Sequence, residues 1–372
     1  MASFALPAAE DSPIGRLGHV VGHLVRSANN SYLAMSWLQQ CLKTHHICSQ
    51  TVSQARLDRI LPTRLLDVSF SEDATQIVTA FEGGGHIEYA TLSHCWGSSP
   101  VIQTTISMLD QYKEIIPLDE LSKTFREVIL VCRSLRIQFL WIDSLCIIQD
   151  DPLDWERESA KMADVYSGSY LNLAAAAAAN GTEGLFFERL ECIKVRCKLS
   201  SEEEDDIFIS NSPSSYFMDS RESPLASRAW ALQEKVLPPR NLIFGEDQLH
   251  WECHEELKSE SSRKNMQIDQ SFPSSLRRYL SSKPSLNEEV SAQSKLWYKM
   301  LEAYSRCELT KSEDKLPALT GLANAFSRRS GFNYAVGLWE EDLEMGLLWK
   351  SLSPKRHSYP LRTEHQHGHG QL

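Results

Sequence analysis

The 372 residues carry a formal net charge of −11, with 42% apolar and 23% charged side chains. That is the profile of an ordinary globular protein able to bury a sizeable core, in one large domain or a few small ones. It lacks the basic stripe that nucleic acid or an anionic membrane surface requires, so neither is an expected partner.

No run approaches the roughly 18 consecutive apolar residues of a spanning helix, so no membrane span is expected. Met1-Ala-Ser-Phe-Ala-Leu-Pro7 has no basic stretch followed by an apolar one, and the nine cysteines are scattered and odd in number. Reduced thiols in a cytoplasmic protein are the simplest reading.

Residues 1–60 read as a helical N-terminal segment. Cys41, His45, His46 and Cys48 form C-x3-H-x2-C, which offers three zinc-type ligands with Cys253 or His254 as a distant fourth. A C-x-x-C knuckle is missing, so helix-end packing is preferred and no metal is assigned. Leu61–Val68 and Gln76–Phe81 read as short strands, and Gly83-Gly-Gly85 as a turn without the helix and lysine of a phosphate loop. Ile87–Ser93 is the next strand, ending on His94-Cys-Trp-Gly97.

Leu118–Arg136 follows as a helix with Leu121, Phe125, Val128, Cys132 and Leu135 on one stripe and a capping box at Thr124 and Glu127. Phe139–Asp151 reads as a strand buried on both faces, with one acid, Asp143, inside it. Asp154 is expected to cap a helix to about Tyr166, with Trp155, Met162 and Tyr166 inward. Tyr170–Leu173 and the alanines after it read as a further strand. Alternating strands and helices with short connections indicate an α/β fold with a parallel sheet covered by helices on both faces.

Residues 189–224 are expected to leave the sheet, with a short strand near 193–197 and a hairpin. Ser227–Leu237 is a helix stopped by Pro238-Pro239, and Asn241–Phe244 with Gln248–Cys253 is a closing β-hairpin. The polar stretch from 256 to about 293 reads as a flexible linker. Amphipathic helices are expected over 297–306, 316–326 and 339–352, and the tail from His357 to Leu372, with its four histidines, as disordered.

Three blocks then stand out together: Tyr89-Ala-Thr-Leu-Ser-His-Cys-Trp-Gly97, Leu140-Trp-Ile-Asp-Ser-Leu-Cys-Ile-Ile-Gln149 and Arg228-Ala-Trp-Ala-Leu-Gln-Glu-Lys-Val-Leu237. They resemble, in order and spacing, the fungal heterokaryon-incompatibility (HET) domain pattern LSxCWG, WIDxLCIxQ, RxWxLQE. The resemblance covers about 61–255, followed by a helical C-terminal region over 256–356 and the tail at 357–372. Flanking Trp37-x3-Cys41, Asp314-Lys-Leu-Pro-Ala318 and Gly337-Leu-Trp339 also look like members of that family.

The resemblance implies a role in fungal non-self recognition and regulated cell death, with homo-oligomers and other death-signalling proteins as partners. It also implies a distant likeness to TIR domains, and hence a flavodoxin-like, TIR-like sheet. Some TIR domains cleave NAD with the glutamate of a helical Trp-x3-Glu, and Trp230-Ala-Leu-Gln-Glu234 has that spacing. On that basis Glu234 is the expected catalytic residue, and Ser93, His94, Trp96, Gly97, Asp143, Arg228 and Trp230 are expected to bind substrate. NAD enters as a substrate, and no cofactor is implied.

The residues themselves leave alternatives open. Glu234 can equally pair with Arg228 or Lys235 on a helix face, and Asp143 can anchor its own loop. Cys95 and Cys146 invite a thiol-nucleophile reading with His94 as base, although free cysteines are usually small buried hydrophobes. At the level of the whole chain, a non-catalytic self-associating signalling module and an enzyme recruited to secondary-metabolite chemistry are the rivals.

Overall fold

The computed structural model describes residues 28–49, 60–79, 87–97, 101–188, 222–261, 273–282 and 288–348, with Phe4–Ala5, 193–198, 204–211, Tyr216 and Pro284. Nine strands form one sheet: β1 (Arg64–Asp67), β2 (Ala74–Thr79), β3 (Tyr89–Ser93), β4 (Ile116–Pro117), β5 (Phe139–Trp141), β6 (Leu171–Ala174), β7 (Arg240–Phe244), β8 (Leu249–Cys253) and β9 (Leu257–Ser259). Their spatial order is β9-β8-β7-β6-β3-β5-β1-β2-β4.

Parallel pairing joins β5 to β3, β3 to β6 and β6 to β7. Counted in chain order, those four strands lie 2-1-3-4, the flavodoxin-like sequence of strands. The expected closing hairpin is β7 with β8, and the other margin strands, β1, β2, β4 and β9, also pair antiparallel, which the expected parallel sheet did not include. The physical reason is connection length. The links from β1 to β2 and from β7 to β8 are hairpin-sized, whereas parallel neighbours need a crossover of a dozen or more residues.

The crossovers are helical. α1 is Ala28–Thr44 and α2 is Leu109–Glu114; α3 (Lys123–Ser134) links β3 to β5. After the single turn α4 (Asp143–Cys146), α5 (Pro152–Ser167) links β5 to β6, and α6 (Ala229–Val236) precedes β7. Right-handed crossovers that run outward in opposite directions put α3 on one face and α5 and α6 on the other. The α5 face is fixed by Tyr89, whose hydroxyl donates to the Val165 carbonyl at 2.7 Å. The helical stripe on α3 is buried as expected, with Phe125, Val128 and Cys132 at 0% exposure.

A second apolar cluster gathers α7 (Ser274–Ser281), α8 (Val290–Ser305) and α9 (Pro317–Ser330) around Trp297, Phe326 and Trp339. Ala229 and Val236 of α6 belong to it, so α6 is shared between the sheet layer and the C-terminal helices. Contact there is close: a Cβ at Gly321 of α9 would meet Gln233 Oε1 at 2.3 Å and Ala163 Cβ at 2.7 Å. Only glycine fits at that distance.

Several expectations are corrected. The long strand over 139–151 is a three-residue strand followed by α4, because Asp143 turns the chain by accepting the Ser144 amide at 2.7 Å. The cap of α5 is Asp151 rather than Asp154, since Asp151 accepts from the Leu153 and Asp154 amides. Asp154 is fully buried and instead pairs with Arg64 while accepting from the Ile148 amide at 2.9 Å. Ser122, not Thr124, caps α3, and Glu127 accepts from the Leu185 and Phe186 amides.

The stretch taken as a linker contains β9 and α7, organised by Leu257 and Leu276, each 1% exposed. Of the helix expected over 339–352, the described part to residue 348 holds instead a two-residue strand at Leu338–Trp339, a 3-10 turn and a short helix, α10 (Leu343–Gly346). Phe4–Ala5 is a strand inside the segment read as helical, and it pairs with a hairpin of Ile193–Lys198 and Glu204–Asn211. The Gly83–Gly85 turn and the histidine tail lie outside the described residues.

Candidate functional site

In an open α/β sheet a crevice forms where the strand order reverses, at the carboxyl ends of the strands. Here that point lies between β3, ending at Ser93, and β6, ending at Ala174. A small, half-open cleft lies there, lined by Ser93, Asn172 and Ala174 from the sheet and by Ala231 and Lys235 from α6. Its floor is a polar relay inside the sheet. Asn172 Oδ1 accepts from Thr91 at 2.9 Å and from Ser93 at 3.1 Å, while Nδ2 donates to the Glu234 carbonyl at 3.2 Å and to Asn241 Oδ1 at 3.0 Å.

Glu234 lies beside this relay and is 2% exposed. Burial pushes its carboxyl up to about 7, the Arg228 guanidinium pulls it down, the Asp143 carboxylate pushes it up, and the Ser93 and Tyr166 hydroxyls pull it down. Its Oε2 has no hydrogen-bond partner among the described residues. An acid poised near neutrality with a free oxygen can exchange a proton or meet a cationic centre. Tyr166 is held in place by donating to the Leu92 carbonyl at 3.1 Å.

The loop after β3 is tied to the start of the other motif blocks. Asp143 accepts the Trp96 indole N–H at 2.9 Å and the Ser144 amide, and its Oδ1 lies 3.8 Å from His94 Nδ1. Arg228 donates to the His94 carbonyl. His94 is 2% exposed, packed edge-on against Phe125, and burial pushes its imidazole down to about 4, opposed by Asp143. It is therefore neutral at pH 7, with Nε2 unpartnered among the described residues. Gly97 has a φ of +69°, and a Cβ there would lie 2.4 Å from Asn180 Cβ, so the turn demands glycine.

Ser93, His94, Asp143, Arg228 and Glu234 are thus brought together, with Trp96 and Gly97 closing the loop above them. Trp230 is placed elsewhere: its indole donates to Asp314 Oδ2 at 3.3 Å and packs between the two apolar clusters. Burial holds the Cys95 thiol up at about 11 and the Cys146 thiol up at about 12, so neither supplies a thiolate at neutral pH.

Sequence reasoning missed Asn172 and Tyr166. Asn172 had a signal, a lone amide inside an apolar strand, whereas a tyrosine on a helix's inward stripe is indistinguishable from core.

At the other end of the sheet, Cys41, His45, Cys48 and Cys253 are all buried, with their ligand atoms within 4.8 Å of one another. Of the two residues considered for the distant position, Cys253 takes it. His46 is exposed, and His254, buried nearby, has both ring nitrogens unpartnered among the described residues.

Residues 89–234, from the start of β3 into α6, match the family model described as heterokaryon incompatibility protein (HET). No curated protein matches, and no solved structure matches. No helix among the described residues is long and apolar enough to cross a membrane. The matched span runs through Ser93, Asn172 and Ala231 of the cleft, and over residues 89–234 the chain therefore carries a HET (heterokaryon-incompatibility) domain.

Proposed function

We propose that this HET domain acts in cytoplasmic, regulated cell death during fungal non-self recognition by hydrolysing the N-glycosidic bond of NAD. The observation that carries the reading is the Glu234 carboxyl, buried at the point of strand-order reversal, poised near pH 7 and with one oxygen unpartnered among the described residues. In such a step the bond between ribose C1′ and the nicotinamide nitrogen breaks, and its electron pair neutralises the pyridinium. The cationic ribose is stabilised by the Glu234 carboxylate, as an oxocarbenium-like species is by a nearby carboxylate. Water adds at C1′ and its proton passes to Glu234 and on to solvent, giving ADP-ribose, nicotinamide and a proton. Ser93 lines the cleft, neutral His94 can accept or donate one hydrogen bond through Nε2, and Asp143 acts as a positioning residue for the Trp96 loop.

Nicotinamide release from NAD by the full chain tests this, with and without enforced self-association. Release by the wild type that Glu234→Ala abolishes supports it. No release in either state, or equal release by Glu234→Ala, overturns it. The 2% exposure of Glu234 favours one second reading, a non-catalytic module that signals by self-association. That reading expects toxicity on overexpression that survives Glu234→Ala and is lost when surface contacts are changed.

A further inference from the structure

A second buried cluster lies outside the matched span and has no part in the cleft. We propose that Cys41, His45, Cys48 and Cys253 form a structural zinc site that fastens α1 and the turn after it to the outer hairpin of the sheet.

The spacing of the ligand atoms is close to what a tetrahedral zinc requires. The four ligand atoms lie within 4.8 Å of one another, and His45 Nδ1 is 3.3 Å from Cys253 Sγ. Zinc–sulfur bonds of about 2.3 Å and zinc–nitrogen bonds of about 2.0–2.1 Å give tetrahedral edges of about 3.4–3.8 Å. A set of three sulfurs and one imidazole leaves no open coordination position, as in a structural rather than catalytic centre. Soft sulfur ligands select zinc over magnesium or calcium.

The local structure presents the ligands together. Cys41 ends the buried face of α1, and His45 follows one turn later, its amide bonded to the Cys41 carbonyl at 3.1 Å. Cys48 lies on the next turn, and Cys253 comes from the end of β8, directly opposite Arg240 in the β7–β8 ladder.

The surroundings support metal rather than plain thiol packing. The other ring nitrogen of His45 faces Glu256 Oε2 at 3.6 Å, longer than a hydrogen bond, with Lys258 Nζ 3.0 Å from the same oxygen; this carboxylate stands on the side from which a zinc-bound imidazole is oriented. Arg240, 1% exposed, donates through Nε to Cys41 Sγ at 3.2 Å and through Nη1 to the Tyr170 carbonyl at 3.0 Å. It has no carboxylate partner among the described residues. Three thiolates, a neutral imidazole and Zn²⁺ sum to −1, which compensates this buried guanidinium. Two bonds tie the same joint from outside: the Ile47 amide donates to Glu255 Oε1 at 2.6 Å, and Lys258 donates to Gln40 Oε1 at 2.8 Å.

The test uses the full chain, purified reduced and without chelator. Metal analysis with native mass spectrometry is expected to find about one zinc per chain. Replacement by Co²⁺ is expected to give sulfur-to-cobalt charge-transfer absorption, which the histidines of the tail cannot produce. Cys253→Ala and His45→Ala are expected to lose the metal, His45→Cys to retain it, and Cys307→Ala, a thiol outside the cluster, to leave it unchanged. Should the alanine variants fail to fold, the wild-type stoichiometry and cobalt spectrum decide alone. Wild type without stoichiometric zinc, cobalt lacking the thiolate absorption, or a disulfide among these cysteines in the freshly purified protein would overturn the proposal.

Discussion

Two buried polar clusters occupy opposite ends of the same sheet, and they solve the cost of burial differently. At the amino end, where Arg240 opens β7 opposite Cys253, four metal-type ligand atoms converge and a cation stands beside them. At the carboxyl end, Glu234 Oε2 and His94 Nε2 lack partners among the described residues. Burying an unpaired polar group costs about 1–3 kcal/mol, so a fold retains one where something else meets it. The first cluster gathers soft ligand atoms about one point beside a buried cation, although neighbouring His254 is unpartnered among the described residues, and it fits a structural role. The second is incomplete and fits one that a ligand completes.

The sharpest way to break that contrast is Glu234→Gln, which keeps the shape and removes the charge. Nicotinamide release is expected to fall by about 10²–10⁴-fold, the usual range for losing an acid–base group. The same variant is expected to be more thermally stable than wild type at pH 8, because it no longer holds a buried carboxylate; a lower Tm at pH 8 would contradict the account of Glu234. A smaller effect is expected at the loop. Asp143→Ala leaves the Trp96 indole and the Ser144 amide without their acceptor, and denaturant unfolding should show a loss of about 1–3 kcal/mol.

At the other cluster, Arg240→Met is expected to weaken zinc binding about 10–100-fold in a chelator competition, as loss of groups around a metal's ligands typically does. Unchanged affinity would mean the guanidinium is not coupled to the sulfurs.

A further expected outcome is the pH dependence of stability in the wild type. Folding favours the neutral form of Glu234, so its contribution is complete below the ordinary value of 4.5 and is lost as pH rises through about 7. Folding also favours neutral His94, whose contribution is present above 6.5 and is lost as pH falls toward about 4. Tm should therefore decline on both sides, with the alkaline limb missing in Glu234→Gln.

Much of the site was legible because strand ends are legible. An apolar β-rich run that stops on Ser93-His94 announces a carboxyl end, and four-residue spacing puts Glu234 a turn beyond Trp230 on a compact helix. What spacing could not show was that the two residues answer to different neighbours. Trp230 is drawn to Asp314 by the C-terminal helices, while Glu234 turns to the sheet. The capping pattern at Thr124 and Glu127 misled for a similar reason: the carboxylate found the amides of Leu185 and Phe186, brought close only by the fold.

By itself, the amino-acid order determined the alternation of strands and helices and the three motif blocks, since periodicity and turn chemistry act over a few residues. Tertiary structure decided the antiparallel pairing of β1 with β5 and of β2 with β4, the anchoring of Trp96 by Asp143 and the poise of Glu234 near neutrality, because pairing, burial and charge there depend on residues distant in the chain. It also decided the fourth member of the cysteine–histidine cluster. C-x3-H-x2-C supplies three ligands and lacks a fourth, and only the β7–β8 hairpin, more than two hundred residues away, brings Cys253 within 3.3 Å of His45.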